Sequence, residues 1–372
     1  MWDKVMGLVF WISLVVVVYA YVGYALWLMV RGGKRPIRCA YQTPTVSILI
    51  AARNEEVNLP VKLENLRSLD YPAEKIQIVI ASDGSTDRTA AILRDQPGNV
   101  FPVIFEQSVG KAAALNQAVR HATGEILVFL DARQRVDLNA VSELVSCLAD
   151  PTVGAVSGEL HLEAAPGVEA EDALGIYWKI EKTIRRLESE SGSVVGVTGA
   201  IYAMRRELYT DIPPGTILDD VFVPMNVARM GKRVIFHPLA IARDRIFTQQ
   251  GKEFARKVRT LTGNYQLVQV SPWMLSAENP LLFRLICHKL LRLVVPFLLL
   301  VMLVTSGLAG GLFFRTIFGL QLILYAVAAL GMLIPPLRRF RPVAIAHTFV
   351  MLNVAAAYAF YNFVAGRKNV WV

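Results

Sequence analysis

Acidic side chains are almost missing from both ends of this 372-residue chain: outside residues 39–292 only Asp3 carries one. Charged residues are scarce overall, at 19% against about 25% in a soluble globular chain. The apolar share of 54% excludes disorder, and no glycine period points to a collagen-like chain. Three cysteines (Cys39, Cys147 and Cys287) are odd in number, far apart in the chain and without metal-ligand spacing. That pattern excludes a disulfide framework and reads as a reduced, cytoplasmic domain with Cys147 in the core. No internal repeat or low-complexity linker is present.

Long stretches lack charge altogether. Residues 5–30, 293–314 and 316–337 hold none, and 342–366 holds only His347 as a group able to gain charge. About 20 apolar residues suffice to cross a bilayer, so four spanning segments are expected. The basic run Arg31-Gly32-Gly33-Lys34-Arg35 follows the first segment instead of preceding it, which marks a retained anchor rather than a cleaved leader. The positive-inside rule then places the residues after Val30 in the cytoplasm, with Arg292, Arg338, Arg339 and Arg341 on the same side. Arg367 and Lys368 fall on the other side, a mild exception at the last segment.

What remains, residues 39–292, holds 28 basic and 29 acidic side chains. The net charge of +9 therefore belongs to the membrane flanks. It speaks for membrane lipids as partners, and no nucleic acid is expected. The expected organisation is an anchor and basic flank over 1–38, a cytoplasmic domain over 39–270, an interfacial amphipathic helix over 271–292, and a membrane region over 293–372. In that helix Arg284, His288 and Arg292 repeat every four residues. A second interfacial helix is expected in EDALGIYWKIEKTIRRLESE, with Leu174, Tyr177, Trp178, Ile184 and Leu187 on its apolar face. Packing of either helix against the domain core is the alternative.

Within the domain, apolar β-rich runs at Thr45–Ala51, Ile76–Ala81, Val100–Phe105 and Ile126–Leu130 alternate with helical patterns. Continuous apolar strands separated by helices indicate an α/β domain with a mostly parallel sheet covered on both faces. Glu55, Asp83 and Asp131 each follow a different strand, where such sheets build their ligand crevices. Gly110-Lys111 opens a helix, but Phe105 and Ala112 stand where a P-loop requires Gly and Ser or Thr. A lysine at a helix N-terminus remains, suited to a phosphate. Asp137 reads as the cap of the next helix, and His237 has no assignable partner.

The ordered motifs VSILIAARNEE, IVIASDGSTD, GKAAALN, ATGEILVFLDAR, VTGAIYAMRREL, TILDD and KVRT resemble the family 2 glycosyltransferases over about residues 44–265. Membrane members of that family include cellulose, chitin and hyaluronan synthases. The resemblance implies a GT-A nucleotide-sugar-binding domain flanked by one N-terminal and about three C-terminal spans. Glu55 and Asp83 would contact base and ribose, and Lys111 the nucleotide or diphosphate. Asp131 occupies the first position of the DxD motif and would hold Mg2+ or Mn2+. Arg133 stands where the second aspartate belongs; it cannot ligate a metal but can pair with phosphate. Asp220 matches the base that deprotonates the acceptor, with Asp219 beside it. Arg256 and Arg259 match the basic positions of the (Q/R)xxRW motif and would bind diphosphate, while Thr260 replaces its tryptophan.

The resemblance thus implies a multi-pass membrane enzyme that moves a sugar from a nucleotide-diphosphate sugar, UDP-linked by family habit, to a lipid-linked or growing glycan acceptor. A processive polysaccharide synthase is one alternative, weakened by Thr260. A noncatalytic sugar-nucleotide-binding subunit is another, motivated by Arg133. The four spans contain no Asp, Glu, Lys or Arg as first delimited, which disfavours a transporter.

Overall fold

Residues 2–163, 172–245 and 250–366 are described by a computed structural model of the chain. The strands are β1 (Val46–Ala52), β2 (Ile76–Asp83), β3 (Val100–Phe105), β4 (Ile126–Leu130), β5 (Arg135–Val136), β6 (Val153–Glu163), β7 (Ile201–Arg205) and β8 (Arg233–Arg245). They form one sheet in the order β3-β2-β1-β4-β7-β6-β8-β5. The first four expected strands are all present and pair in parallel. Strand β7 then runs antiparallel to both β4 and β6, while β6 and β8 pair in parallel. Alternation fills both faces: Ile48, Ile50 and Val128 enter one core, and Leu49, Leu127 and Phe129 the other. Each such burial contributes about 1.5–3 kcal/mol. The chain order reverses between β1 and β4, so the crevice at their carboxyl ends is the topological switch point of the sheet.

Among the described residues, four helices are long and apolar enough to cross a membrane: Trp2–Val30, Leu282–Leu308, Leu312–Leu333 and Arg341–Val364. Their limits correct the sequence reading. The break between the second and third falls at Ala309–Gly311, where Gly311 has φ +98°, a left-handed backbone that favours glycine. Arg315 is therefore inside the third helix rather than between two. The Asp3 carboxylate lies beside Gly310, so the start of the first helix and this turn share one end of the bundle.

The expected interfacial helix over 271–292 is also corrected. Its basic stripe faces protein, with His288 buried and Arg284 and Arg292 half-buried, and its helical part runs directly into the second apolar helix. His288 is 2% exposed; its Nδ1 lies 3.0 Å from Glu188 Oε1 and its Nε2 2.8 Å from Glu181 Oε1. The imidazolium form satisfies both contacts, each N–H donating to a carboxylate. Arg292 donates to Glu181 Oε2 at 2.8 Å, the Tyr24 hydroxyl donates to Glu188 Oε1 at 2.7 Å, and Arg284 donates to the carbonyls of Glu188, Ser191 and Ser193. Burial opposes the charge of Glu181, but His288 and Arg292 outweigh it and hold that carboxyl well below its ordinary range. Helix Asp172–Ser191, which carries both glutamates, buries Ile184 with Tyr24, Leu28 and Cys287. It is thus packed between the domain and two membrane helices. The side chains of Leu174, Tyr177 and Trp178, and residues Arg367 and Lys368, lie outside the described residues.

Removing one partner from a buried ion pair costs about 3–5 kcal/mol, because the other charge is left uncompensated. His288→Leu is therefore expected to lower the detergent-solubilised protein's unfolding temperature sharply. An unchanged thermal transition would show that the clamp does not hold the domain to the membrane helices.

Candidate active site

Three loops at the carboxyl ends of the strands are tied together before any ligand arrives. After β1, Glu56 N donates to Asp87 Oδ2 at 3.0 Å, and Arg88 N returns a bond to Glu56 Oε2 at 3.1 Å. Asn54, with φ +55°, accepts from Thr86 N at 2.8 Å. Glu55 is half-buried; its amide donates to Thr89 Oγ1 and its carboxylate accepts from Asn58 Nδ2 at 2.6 Å.

Asp83, expected against base and ribose, has its carboxylate engaged by the neighbouring turn. It is fully buried, and its oxygens accept from Val109 N at 2.6 Å, Ser108 Oγ at 2.8 Å and Gly110 N at 3.1 Å. In this structure Asp83 thus shapes the turn that delivers Lys111. Gly84 makes that approach possible: at φ +59°, a Cβ there would stand 2.3 Å from Ser108 N.

Lys111 begins a helix over Lys111–Arg120, and its ammonium lies 3.3 Å from Asp131 Oδ1 and 3.3 Å from Asp219 Oδ2. Burial works against that charge, but Asp131, Asp219 and Asp220 outweigh it and hold Lys111 above the ordinary lysine range. Asp219 and Asp220 open the helix Asp219–Arg229, where negative charge is favoured. Asp220 lies against the loop after Gly196: Val197 N donates to its carbonyl at 2.8 Å, and a methyl on Gly199 would stand 3.6 Å from its Oδ2. Burial and the like charge of Asp219 push the Asp220 carboxyl up to about 6.

Arg133 turns away from Asp131. Its guanidinium donates to Asp244 Oδ2 on β8, an oxygen that also accepts from Gln134 Nε2 at 2.9 Å. Asp137, expected only as a cap, is held by Arg243 through two bonds of 2.6 and 2.9 Å. His237 meets Glu143 at 2.7 Å. Arg256 and Arg259 lie on the helix Gln250–Val270, which supports the Asp219 loop through Gln266: its amide donates to Gly215 O and accepts from Ile217 N. The expected carboxylates and Lys111 are therefore brought together, while Glu55 stands at the neighbouring loop pair.

Two residues escaped sequence reasoning. Lys62 is buried and donates to Gln134 O at 2.7 Å beneath the Asp131 turn. Burial pushes its ammonium down to about 7 against the opposing pull of Asp131. Tyr202 stacks on Phe129 at 4.5 Å, and its buried hydroxyl has no hydrogen-bond partner among the described residues. Lys62 stands between the exposed Val61 and the buried Leu63, so no local pattern announced its burial; for Tyr202 only its place in a strand-like run was visible.

A metal at Asp131 would meet one half-exposed carboxylate, and no group of three or more His, Cys, Asp or Glu side chains is assembled among the described residues. This suits an ion completed by substrate phosphates and water, not one caged by protein.

The fold is of the GT-A type. Residues 47–212 match the family model described as Glycosyl transferase family 2, and that stretch is a domain of this family. The poly-beta-1,6-N-acetyl-D-glucosamine synthase of Staphylococcus aureus is 26% identical over 229 residues, covering 60% of this chain and 55% of its own. That of Staphylococcus epidermidis is 25% identical over 238 residues, covering 62% and 57%. The chain thus spans about half the length of the curated relatives it matches. A mannosyltransferase from Pyrobaculum calidifontis, solved in complex with GDP-Man and Mn2+, superposes with a TM-score of 0.73 at 23% identity, covering 99% of this chain and 100% of its own. At that identity the likeness establishes the fold.

An amide at position 83 would offer one acceptor oxygen and turn a donor toward Ser108 and two backbone N–H groups. Asp83→Asn should destabilise the domain by about 1–3 kcal/mol. It should also speed hydrogen exchange at Val109 and Gly110, and unchanged exchange there would mean another contact holds the turn.

Proposed function

We propose that the whole chain is a membrane-bound inverting glycosyltransferase. It takes a sugar from a nucleoside-diphosphate sugar and delivers it to a lipid-linked or growing glycan acceptor at the cytoplasmic membrane face. The observation that carries this reading is the Lys111 ammonium held between Asp131 and Asp219, with Asp220 beside them at the switch point of the sheet. The basic flanks after the first span and around the last turn favour a cytoplasmic domain.

The division of labour follows from chemistry. Lys111 lies ready to meet the diphosphate once the donor separates it from its carboxylates, and Glu55 is placed for the nucleoside. Asp83 acts indirectly, by fixing the turn before Lys111. Arg256 and Arg259 add positive charge from the helix that supports the Asp219 loop through Gln266. Asp220 accepts the proton of the acceptor hydroxyl while that oxygen displaces the nucleoside diphosphate from the anomeric carbon, inverting it. Asp219 positions Lys111 and raises the basicity of Asp220. Asp131 would hold Mg2+ or Mn2+, which supplies neutralisation of the departing diphosphate. Arg133, engaged with Asp244, leaves that ion with little protein anchorage.

The names of the staphylococcal relatives favour a second reading, a processive synthase. Thr260 opposes it, since its hydroxyl donates back to Arg256 O on its own helix and offers no aromatic platform. Product length separates the two: single additions support the first, a ladder of long polymer the second.

A screen of nucleotide-sugars for nucleoside diphosphate release should find one preferred donor. Chelator should suppress the release, and Mg2+ or Mn2+ should restore it. No release from any donor, with Asp220→Asn silent in cells, would leave a noncatalytic subunit.

Asp220 must be ionised to act, and its raised pKa puts protonation within reach of ordinary buffers. Turnover should therefore fall below about pH 6, where kcat/KM against pH would show a one-proton acidic limb. Asp219→Asn removes the like charge and should move the limb to lower pH. Asp220→Asn should cost about 10²–10⁴-fold in rate.

A further inference from the structure

On the membrane side of Asp220 lies a group of cations that the reaction as described leaves unused. Arg185, on the helix Asp172–Ser191, donates from Nη1 to Thr198 Oγ1 at 2.9 Å, one residue before the Gly199 that faces Asp220. Lys289 projects from the second membrane helix. Both approach one carboxylate oxygen, Glu181 Oε1, at 3.9 and 3.8 Å, and neither makes a tight pair with it. Glu181 is already engaged by His288 and Arg292 at 2.8 Å. Four basic groups therefore share a single carboxylate. Arg185 and Lys289 remain about one-fifth exposed and both act on the charge of Asp220.

The backbone places them there deliberately. Tyr19–Gly23 and Ile286–Leu290 are π-helical turns on two adjacent membrane helices, and they meet where Tyr19 Oη lies 3.6 Å from Cys287 Sγ. Such turns are frequent at functional sites, because each re-aims the side chains it carries. On the outer surface of the same helices Trp27, Phe283 and Ile286 stay exposed, with Trp27 packed on Phe283 at 4.7 Å. A cationic ledge beside the base thus adjoins an apolar surface at the membrane.

We propose that Arg185 and Lys289 form the subsite for the phosphate or diphosphate of a lipid-linked acceptor, its hydrocarbon chain lying along the apolar surface and its sugar hydroxyl reaching Asp220. The proposal rests on the reading of Asp220 as the acceptor base. It selects a lipid-borne anionic acceptor over an uncharged glycan. Charge pairing of this kind is strong when partly desolvated, and a guanidinium beside an ammonium suits a diphosphate.

Binding is measured first, so that the outcome does not depend on turnover. Purified protein in zwitterionic nanodiscs is titrated with farnesyl diphosphate, farnesol and inorganic pyrophosphate. Farnesyl diphosphate should bind, and Arg185→Gln and Lys289→Gln should each weaken it at least tenfold, with Lys289→Arg restoring most of the affinity. Lys111→Met should leave it in place, since that lysine serves the donor. Equal binding of farnesol, pyrophosphate binding as tight as the farnesyl ester, or loss of binding in Lys111→Met would overturn the proposal. Thermal unfolding near the wild-type temperature qualifies each variant, and Lys289→Gln, which breaks no short contact, serves if Arg185→Gln does not fold. In a second arm, transfer to a polyprenyl-diphosphate-linked sugar should show a KM raised at least tenfold in Lys289→Gln, with the larger part of the loss in KM and not in kcat. Absence of donor hydrolysis in the wild type would refute the glycosyltransferase reading, while the binding arm would still judge the subsite.

Discussion

The crevice depends on one ammonium. Lys111 stands between carboxylates contributed by two distant parts of the chain, Asp131 after β4 and Asp219 at the start of a helix nearly ninety residues on. Without a cation there, three acidic groups would share a partly desolvated space, and like-charge repulsion would favour their protonation. The rest of the site can be understood as support for that one charge. Asp83 spends its whole hydrogen-bonding capacity on the turn before it, Gly84 lets that turn approach, and Lys62 braces the opposite loop from beneath.

A second ionic centre joins the domain to the membrane helices. There the balance is inverted, with glutamates surrounded by basic groups instead of a lysine surrounded by acids. Because helix Asp172–Ser191 carries Glu181 and Glu188 on one side and reaches the Thr198 loop through Arg185, the two centres are mechanically continuous. Catalytic geometry and membrane attachment are thus specified by one helix.

Much of this was legible in the sequence, for physical reasons. Uninterrupted apolar runs mark strands buried on both faces, and Glu55, Asp83 and Asp131 follow them because strand ends are where polar groups meet ligand. What could not be read was direction and partner. Asp83 looks like a ligand-facing acid until its burial is known. Arg284, His288 and Arg292 have the spacing of a solvated stripe, and only the arrival of Glu181 and Glu188, about a hundred residues away, makes that stripe an interior one. Likewise β6 and β8 pair in parallel across a connection that holds two helices and the antiparallel β7, so the second half of the sheet left little trace.

The pair formed by Arg133 and Asp244 has a consequence for how this sequence can change. Asp244 is buried and its Oδ2 depends on Arg133 and Gln134. Restoring aspartate at 133 would set two carboxylates against each other and strand the buried one, so the step is closed unless Asp244 is replaced as well. Positions 133 and 244 are in that sense coupled: a change at either one alone leaves a charge without its counterpart, and only a change at both keeps the buried site satisfied.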